Sequence, residues 1–236
     1  MSVLTKDRVV LVAGSRGIIG ESICRFFLDQ GAKVIGCSRS SGSIEHERFQ
    51  YRTCDISNER SVAEMFFALD RSDTTPDVLI VNAAAFSLTP VLLLGEKEIA
   101  NLLSINVAGL LFLAREALKR MTRRHFGRII MLSSIAVSKP TRGSSLYSMT
   151  KAALEQFTRI LPFELEGSGI TVNAIEISIF DSGMALRLSP QARAHLMESL
   201  VIKRPCTPQD LCNAIEFFAK PESDYITGQV LKLGFV

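Results

Sequence analysis

Short apolar runs alternate with amphipathic stretches along most of this chain. The first run, Arg8-Val9-Val10-Leu11-Val12-Ala13, is rich in β-branched residues and almost wholly apolar, the pattern of a strand buried on both faces. A glycine-bearing turn separates it from residues 21–30, where Ile23, Phe26 and Phe27 recur at helical spacing. Gly31 stops that helix, and residues 33–37 read as a second strand. The same alternation predicts strands at 49–54, 78–81, 128–132, 170–175 and 229–233. It predicts helices at 59–69, at 96–124 with a break near Ser104, at 147–166 and at 208–219. Repeated βα units argue for an α/β fold, a doubly wound parallel sheet with helices on both faces. With no linker, repeat or low-complexity tract, residues 1–236 are expected to form one domain. The longest irregular stretch, residues 177–207, lies beyond a strand's carboxyl end, where such sheets bind ligands. Its Met184, Leu186, Leu188, Leu196, Met197 and Leu200 suit a hydrophobic lid over a substrate, or packing on the protein's own body.

Composition narrows the classes of function. The chain has 236 residues, 47% hydrophobic and 22% charged, enough to build a large core. No uninterrupted apolar run reaches the roughly 20 residues that span a bilayer. No signal-peptide pattern precedes the first strand, so a cytoplasmic protein without membrane association is expected. Cys24, Cys37, Cys54, Cys206 and Cys212 are odd in number and widely spaced, which suits reduced core thiols. The three histidines lack metal-ligand spacing, and no metal site is expected. A formal charge of +3 gives no reason to expect nucleic acid as a partner. Arg120, Arg123, Arg124 and Arg128 cluster, either as a solvated helix end or as a docking patch.

The glycine turn, Gly14-Ser15-Arg16-Gly17-Ile18-Ile19-Gly20, sits after a buried strand and before a helix. A helix amino terminus offers unpaired N–H groups and partial positive charge to a pyrophosphate, and glycines let backbone approach it. The second strand ends in Cys37-Ser38-Arg39-Ser40, without the carboxylate that NAD sites usually place there for the ribose hydroxyls. Arg16 and Arg39 beside small hydroxyl residues suit a 2′-phosphate, so NADP(H) is the expected cofactor.

Tyr147 and Lys151 lie four apart on one helix face. A phenol titrates near pH ~10, and a nearby ammonium is expected to lower that value and make a workable acid or base. With the turn and the sheet, Tyr147-x-x-x-Lys151 makes the chain resemble the short-chain dehydrogenase/reductase family, with its Rossmann-type fold, from Val9 to Gly234. It looks most like the short, single-domain members, including 3-oxoacyl-carrier-protein reductases. The resemblance implies that Tyr147 exchanges a proton with the carbonyl oxygen during hydride transfer. It implies that Lys151 holds the nicotinamide ribose, Ser134 binds the substrate oxygen and Asn106 holds a relay water. Asp55 and Ile56 match the adenine contact, and Asn82-Ala83-Ala84 matches the segment bordering the cofactor. Ser182 supplies a hydroxyl where the family has a threonine facing the carboxamide, and Ile177 and Ile179 are further cofactor-binding positions that the resemblance implies. A homodimer or homotetramer joined through long helices is also implied.

Departures shape the expectations. Ala13 replaces a threonine, Ile18 stands where the short members have a middle glycine, and Ile177-Ser178 replaces Pro-Gly. Ser168 replaces an arginine used in docking an acyl carrier protein. The leading expectation is NADPH-dependent reduction of a ketone or 3-oxoacyl thioester, with acyl carrier protein as a candidate partner. The alternatives are a small or sugar-derived ketone as substrate, and a non-catalytic NADP(H)-binding sensor.

Overall fold

β1 (Val9–Ala13) is buried along its whole length, as its unbroken apolar run requires. It pairs in parallel with β2 (Lys33–Ser38) on one side and β4 (Val78–Val81) on the other. β3 (Phe49–Thr53) extends the sheet beyond β2. β5 (Gly127–Ser134), β6 (Ile170–Ile177) and β7 (Val230–Lys232) extend it beyond β4, giving the order β3-β2-β1-β4-β5-β6-β7. The computed structural model describes residues 8–40, 42–181 and 188–234. Strand order reverses between β1 and β4, which opens a crevice above their carboxyl ends.

Alternate strand residues feed two cores. Leu11, Leu79, Ile129 and Val172 pack with Phe66 of α2 (Glu59–Arg71), Leu113 of α4 (Gly109–Arg124) and Leu154 of α5 (Ser145–Glu164). Val10, Ile80, Ile130 and Ile175 face the other way, against Phe27 of α1 (Ile18–Asp29) and Phe218 of α7 (Pro208–Ala219). All five cysteines are buried and unpaired.

The departures from expectation have local causes. α1 begins at Ile18, three residues early, because Gly17 at φ 84° ends the turn and the chain coils at once. β5 and β6 run on to Ser134 and Ile177, because the polar pair Ser133–Ser134 is held in register with Glu176 and Ile177. Inside the segment expected to be irregular lies α6 (Pro190–Glu198), started by the Ser189 side chain, which accepts from the Ala192 N–H. The expected break near Ser104 is a π-helical turn, Ser104–Ala108, between α3 (Glu96–Leu103) and α4.

The continuous helical run Glu96–Arg124 has the length and mean hydropathy, 1.4, of a membrane-crossing helix, which inspection of apolar runs missed. In the fold Leu110, Leu113, Ala117 and Met121 pack into the sheet core. On another side Arg115 pairs with Glu59, and Arg120 with Asp70, both of α2.

The arginine cluster is mostly consumed internally. Arg120 also bonds Glu116, and Arg124 pairs with Asp77 at 3.0 Å. Arg128 is buried, with its guanidinium 4.5 Å from the Phe126 ring centroid and donating to the Gly169 carbonyl at 3.2 Å. Arg120 and Arg128 are neither a solvated helix end nor a docking patch, whereas Arg124 stays exposed in the last turn of α4, as a solvated helix end would. Arg128 also sits six residues before Ser134 on β5, roughly 20 Å along the strand.

Gly14 and Gly17 both have positive φ, but only Gly14 is crowded. A Cβ on Gly14 would lie 2.5 Å from the Ala83 nitrogen, whereas Gly17 has nothing within 4 Å. Gly14→Ala should therefore lower unfolding free energy by about 2 kcal/mol or more, and Gly17→Ala by about 1. Denaturant titration checks this, and equal losses would contradict the packing described.

Candidate active site

The first turn of α5 carries Tyr147 over the carboxyl end of β5. Tyr147 is buried, and its ring meets Phe86 edge-on with centroids 4.8 Å apart. Its phenol lies beside Ser134, the last residue of β5. One turn along, the Lys151 ammonium donates to the Leu132 carbonyl at 2.7 Å and stands 5.9 Å from the Tyr147 ring centroid. Further contacts fasten α5 to β5. The Ser133 hydroxyl donates to Glu155 Oε1 at 2.6 Å, and the Thr158 hydroxyl approaches the Met131 sulfur at 3.6 Å.

Burial controls the titration of this pair. It pushes the Lys151 ammonium down to about 8. It pushes the Tyr147 phenol up, with neighbouring Ser134 opposing it. The expected lowering of the phenol by Lys151 is thus absent here. Desolvation outweighs a charge that is directed at a carbonyl rather than at the phenol oxygen.

Asn106 lies in the π-helical turn and is buried. Its amide donates to the Ala85 carbonyl and the Thr150 hydroxyl, while its Oδ1 accepts from the Ala85 N–H. Both amide protons are committed, and a relay water could reach only the second lone pair of Oδ1. The residue is better described as a brace between the segment after β4 and α5. Phe86, Thr150 and Glu155 carry no motif, so sequence reading overlooked them.

Tyr147, Lys151 and Ser134 line one end of a cavity of about 490 Å³. Gly14, Arg16, Gly17, Ile18, Ile19 and Gly20 line the other end. Ile56, Asn82, Ala83, Ala84, Ile177 and Ile179 also line it. Asn82 fixes the turn by donating to the Gly14 carbonyl at 2.6 Å. Asp55 lines the cavity with Arg39, although its Oδ1 already accepts from Ser57. The Arg16 guanidinium donates to the Ser40 hydroxyl beside Arg39. Ser15 lies outside this cavity's lining, buried, with its hydroxyl unpartnered and close to Gly36. Ser182 lies outside the described residues, as do Met184 and Leu186. Of the expected lid, Leu188 and Leu196 line the cavity, while Leu196 and Leu200 also pack with Ile135 and Ile179.

These residues fit a dinucleotide. α1 starts without a side-chain cap, and its Gly17 backbone has open space where a Cβ would stand. Two guanidinium groups flank the end of β2, and an elongated crevice leads from there to Tyr147. Ile18, 56% exposed, is an apolar side chain in the glycine turn that lines the cavity.

Comparison with known proteins agrees with this geometry. A family model described as enoyl-(acyl carrier protein) reductase matches residues 12–233. A 3-oxoacyl-[acyl-carrier-protein] reductase from Rickettsia felis is 29% identical over 227 residues, covering 94% of this chain and 92% of its own. One from Vibrio cholerae is 25% identical over 232 residues, covering 96% and 95%. A short-chain dehydrogenase from Leptospira borgpetersenii with bound NAD+ superposes with a TM-score of 0.90 at 25% identity, covering 98% of this chain and 94% of that one.

A buried lysine costs stability while charged. Its folded pKa of about 8 lies below the ordinary ~10.4, so the folded state holds fewer protons between these values. The cost is full below about pH 8 and disappears as pH rises past ~10. Lys151→Met should therefore raise the unfolding midpoint near pH 7, with the gain shrinking over that window. A midpoint difference independent of pH would contradict the burial of a charged Lys151.

Proposed function

We propose that this chain, which belongs to the short-chain dehydrogenase/reductase family, is an NADP(H)-dependent reductase of ketones, with Tyr147 as the proton donor. The observation that carries this reading is that buried Tyr147, Ser134 and Lys151 line the same cavity as the glycine turn. Family members use NAD(P)(H), and when bound the reduced nicotinamide supplies the hydride. The remaining work falls on residues of this chain. Ser134 and the Tyr147 hydroxyl would hold the carbonyl oxygen as charge develops on it. The carbonyl π electrons pass to that oxygen, which takes the phenolic proton and leaves an alcohol. A phenol held above its ordinary pKa remains protonated at neutral pH, which suits a donor. Lys151 would bind the nicotinamide ribose. Asn106 keeps Ala85 and α5 in place, so the site retains its shape as the proton moves.

The relatives named above are reductases of carrier-bound 3-oxoacyl groups, so such a substrate is a candidate. Arg124 and Arg128, however, are already engaged within the fold. That favours a small or sugar-derived ketone over a carrier docked at that cluster. Ile18 in the glycine turn favours the second reading, a protein that binds NADP(H) without turnover. We place the single domain, residues 1–236, and its oligomeric assembly in the same proposal.

Replacing Tyr147 by Phe should lower kcat for ketone reduction by about a hundredfold or more while NADPH affinity stays nearly constant. Unchanged turnover would remove Tyr147 from its role. No turnover by the native enzyme on a broad carbonyl panel, with NADPH still bound, would favour the sensor. For the coenzyme, Arg16→Ala with Arg39→Ala should weaken NADPH binding roughly tenfold or more and leave NADH binding little altered. The Leptospira neighbour holds NAD+, so both coenzymes must be titrated. Equal or tighter NADH binding by the native protein would overturn the choice of NADP(H).

A further inference from the structure

We infer that the substrate carries its own anionic group, a carboxylate or a phosphate, and that Lys139 binds it. The inference rests on the reductase reading of the Tyr147 site and adds the class of ketone. Among the described residues lining the cavity, the charged ones are Arg16, Arg39, Lys139, Lys151 and Asp55. Asp55 belongs to the dinucleotide half, where it shares the wall with Arg39. The dinucleotide accounts for the two arginines, and its ribose for Lys151. Lys139 is left over, on the substrate side.

Its surroundings make that residue informative. Phe86, Leu88, Ile135, Leu188 and Leu196 line the same cavity. Among the described residues, no carboxylate lies within ion-pair distance of Lys139. A half-buried lysine with no carboxylate beside it leaves its charge for an incoming anion.

The turn that presents Lys139 is built from the catalytic strand. The Val137 N–H donates to the Ser134 carbonyl at 3.0 Å, and the Lys139 N–H to the Ile135 carbonyl at 2.8 Å. The Ser138 hydroxyl donates to buried Glu176 at 2.9 Å and accepts from the Lys232 ammonium at 2.6 Å. The backbone of Lys139 is thereby tied one turn away from Ser134. Ser144, where α5 starts without a side-chain cap, lines the same wall and adds partial positive charge. An anion bound there would set the distance between the charged end of the substrate and the carbonyl that meets Ser134 and Tyr147.

The test compares a medium-chain keto acid, its methyl ester, and a ketone of similar length ending in a phosphate monoester, all with NADPH. The native enzyme should favour at least one anion over the ester by roughly tenfold in kcat/KM. Lys139→Met should abolish that ratio, and Lys139→Arg should keep most of it. The two anions distinguish carboxylate from phosphate. An ester reduced as well as both acids, or a ratio that survives Lys139→Met, overturns the inference. Should no ketone be reduced, the reductase reading fails, and calorimetric binding of the same two anions decides separately. Binding that Lys139→Met weakens tenfold keeps the anion site, and binding insensitive to it removes the site.

Discussion

The hydrogen bond from the buried Lys151 ammonium to the Leu132 carbonyl, at 2.7 Å, locks α5 onto the end of β5. Ser133 to Glu155 and Thr158 to Met131 repeat that attachment further along the helix. Because Ser134 ends the strand and Tyr147 opens the helix, this fastening sets the distance between them. The strand is itself fixed by eight parallel pairings with β6, from Gly127 opposite Ile170 to Ser134 opposite Ile177. A one-residue slip would turn Ser134 and every core residue of β5 to the wrong face. The candidate site is thus a consequence of sheet register and one helix attachment.

Polar groups are buried where this site needs them. Lys151, Glu155 and Glu176 lie within the carboxyl end of the sheet, and burial pushes the Glu176 carboxyl up and the Lys151 ammonium down. An apolar replacement would fold more easily at several of these positions. Such costs concentrate near functional surfaces, since the same desolvation strengthens every electrostatic contact made with a ligand. Arg128 shows that burial alone does not mark a site. It is equally enclosed, yet it serves only to tie carbonyls together at the far end of β5.

Much of this was legible before any coordinates. The apolar runs of β1, β4 and β6 can only be central strands, and α7 is bounded by the Thr207–Asp210 capping box that its first residues spell out. The glycine turn and Tyr147-x-x-x-Lys151 pointed to one site, and the fold does bring them to the same cavity. Three things were hidden, each for a physical reason. Ser133 and Ser134 look like a loop until Glu176 and Ile177 pair with them. Arg128 looks solvated until the Gly169 and Pro221 carbonyls meet it across the fold. The phenol's pKa depends on where Lys151 points, and spacing on a helix does not reveal that a strand carbonyl has claimed the ammonium.

The central claim is that the crevice from Gly17 to Tyr147 brings a nicotinamide and a ketone together for direct hydride transfer. The most direct measurement uses NADPH deuterated at the transferring position, with mass spectrometry of the alcohol product. The account predicts one deuterium on the carbinol carbon, delivered to a single face, with none incorporated from labelled solvent. Product without coenzyme deuterium, or label distributed over both faces, would contradict it.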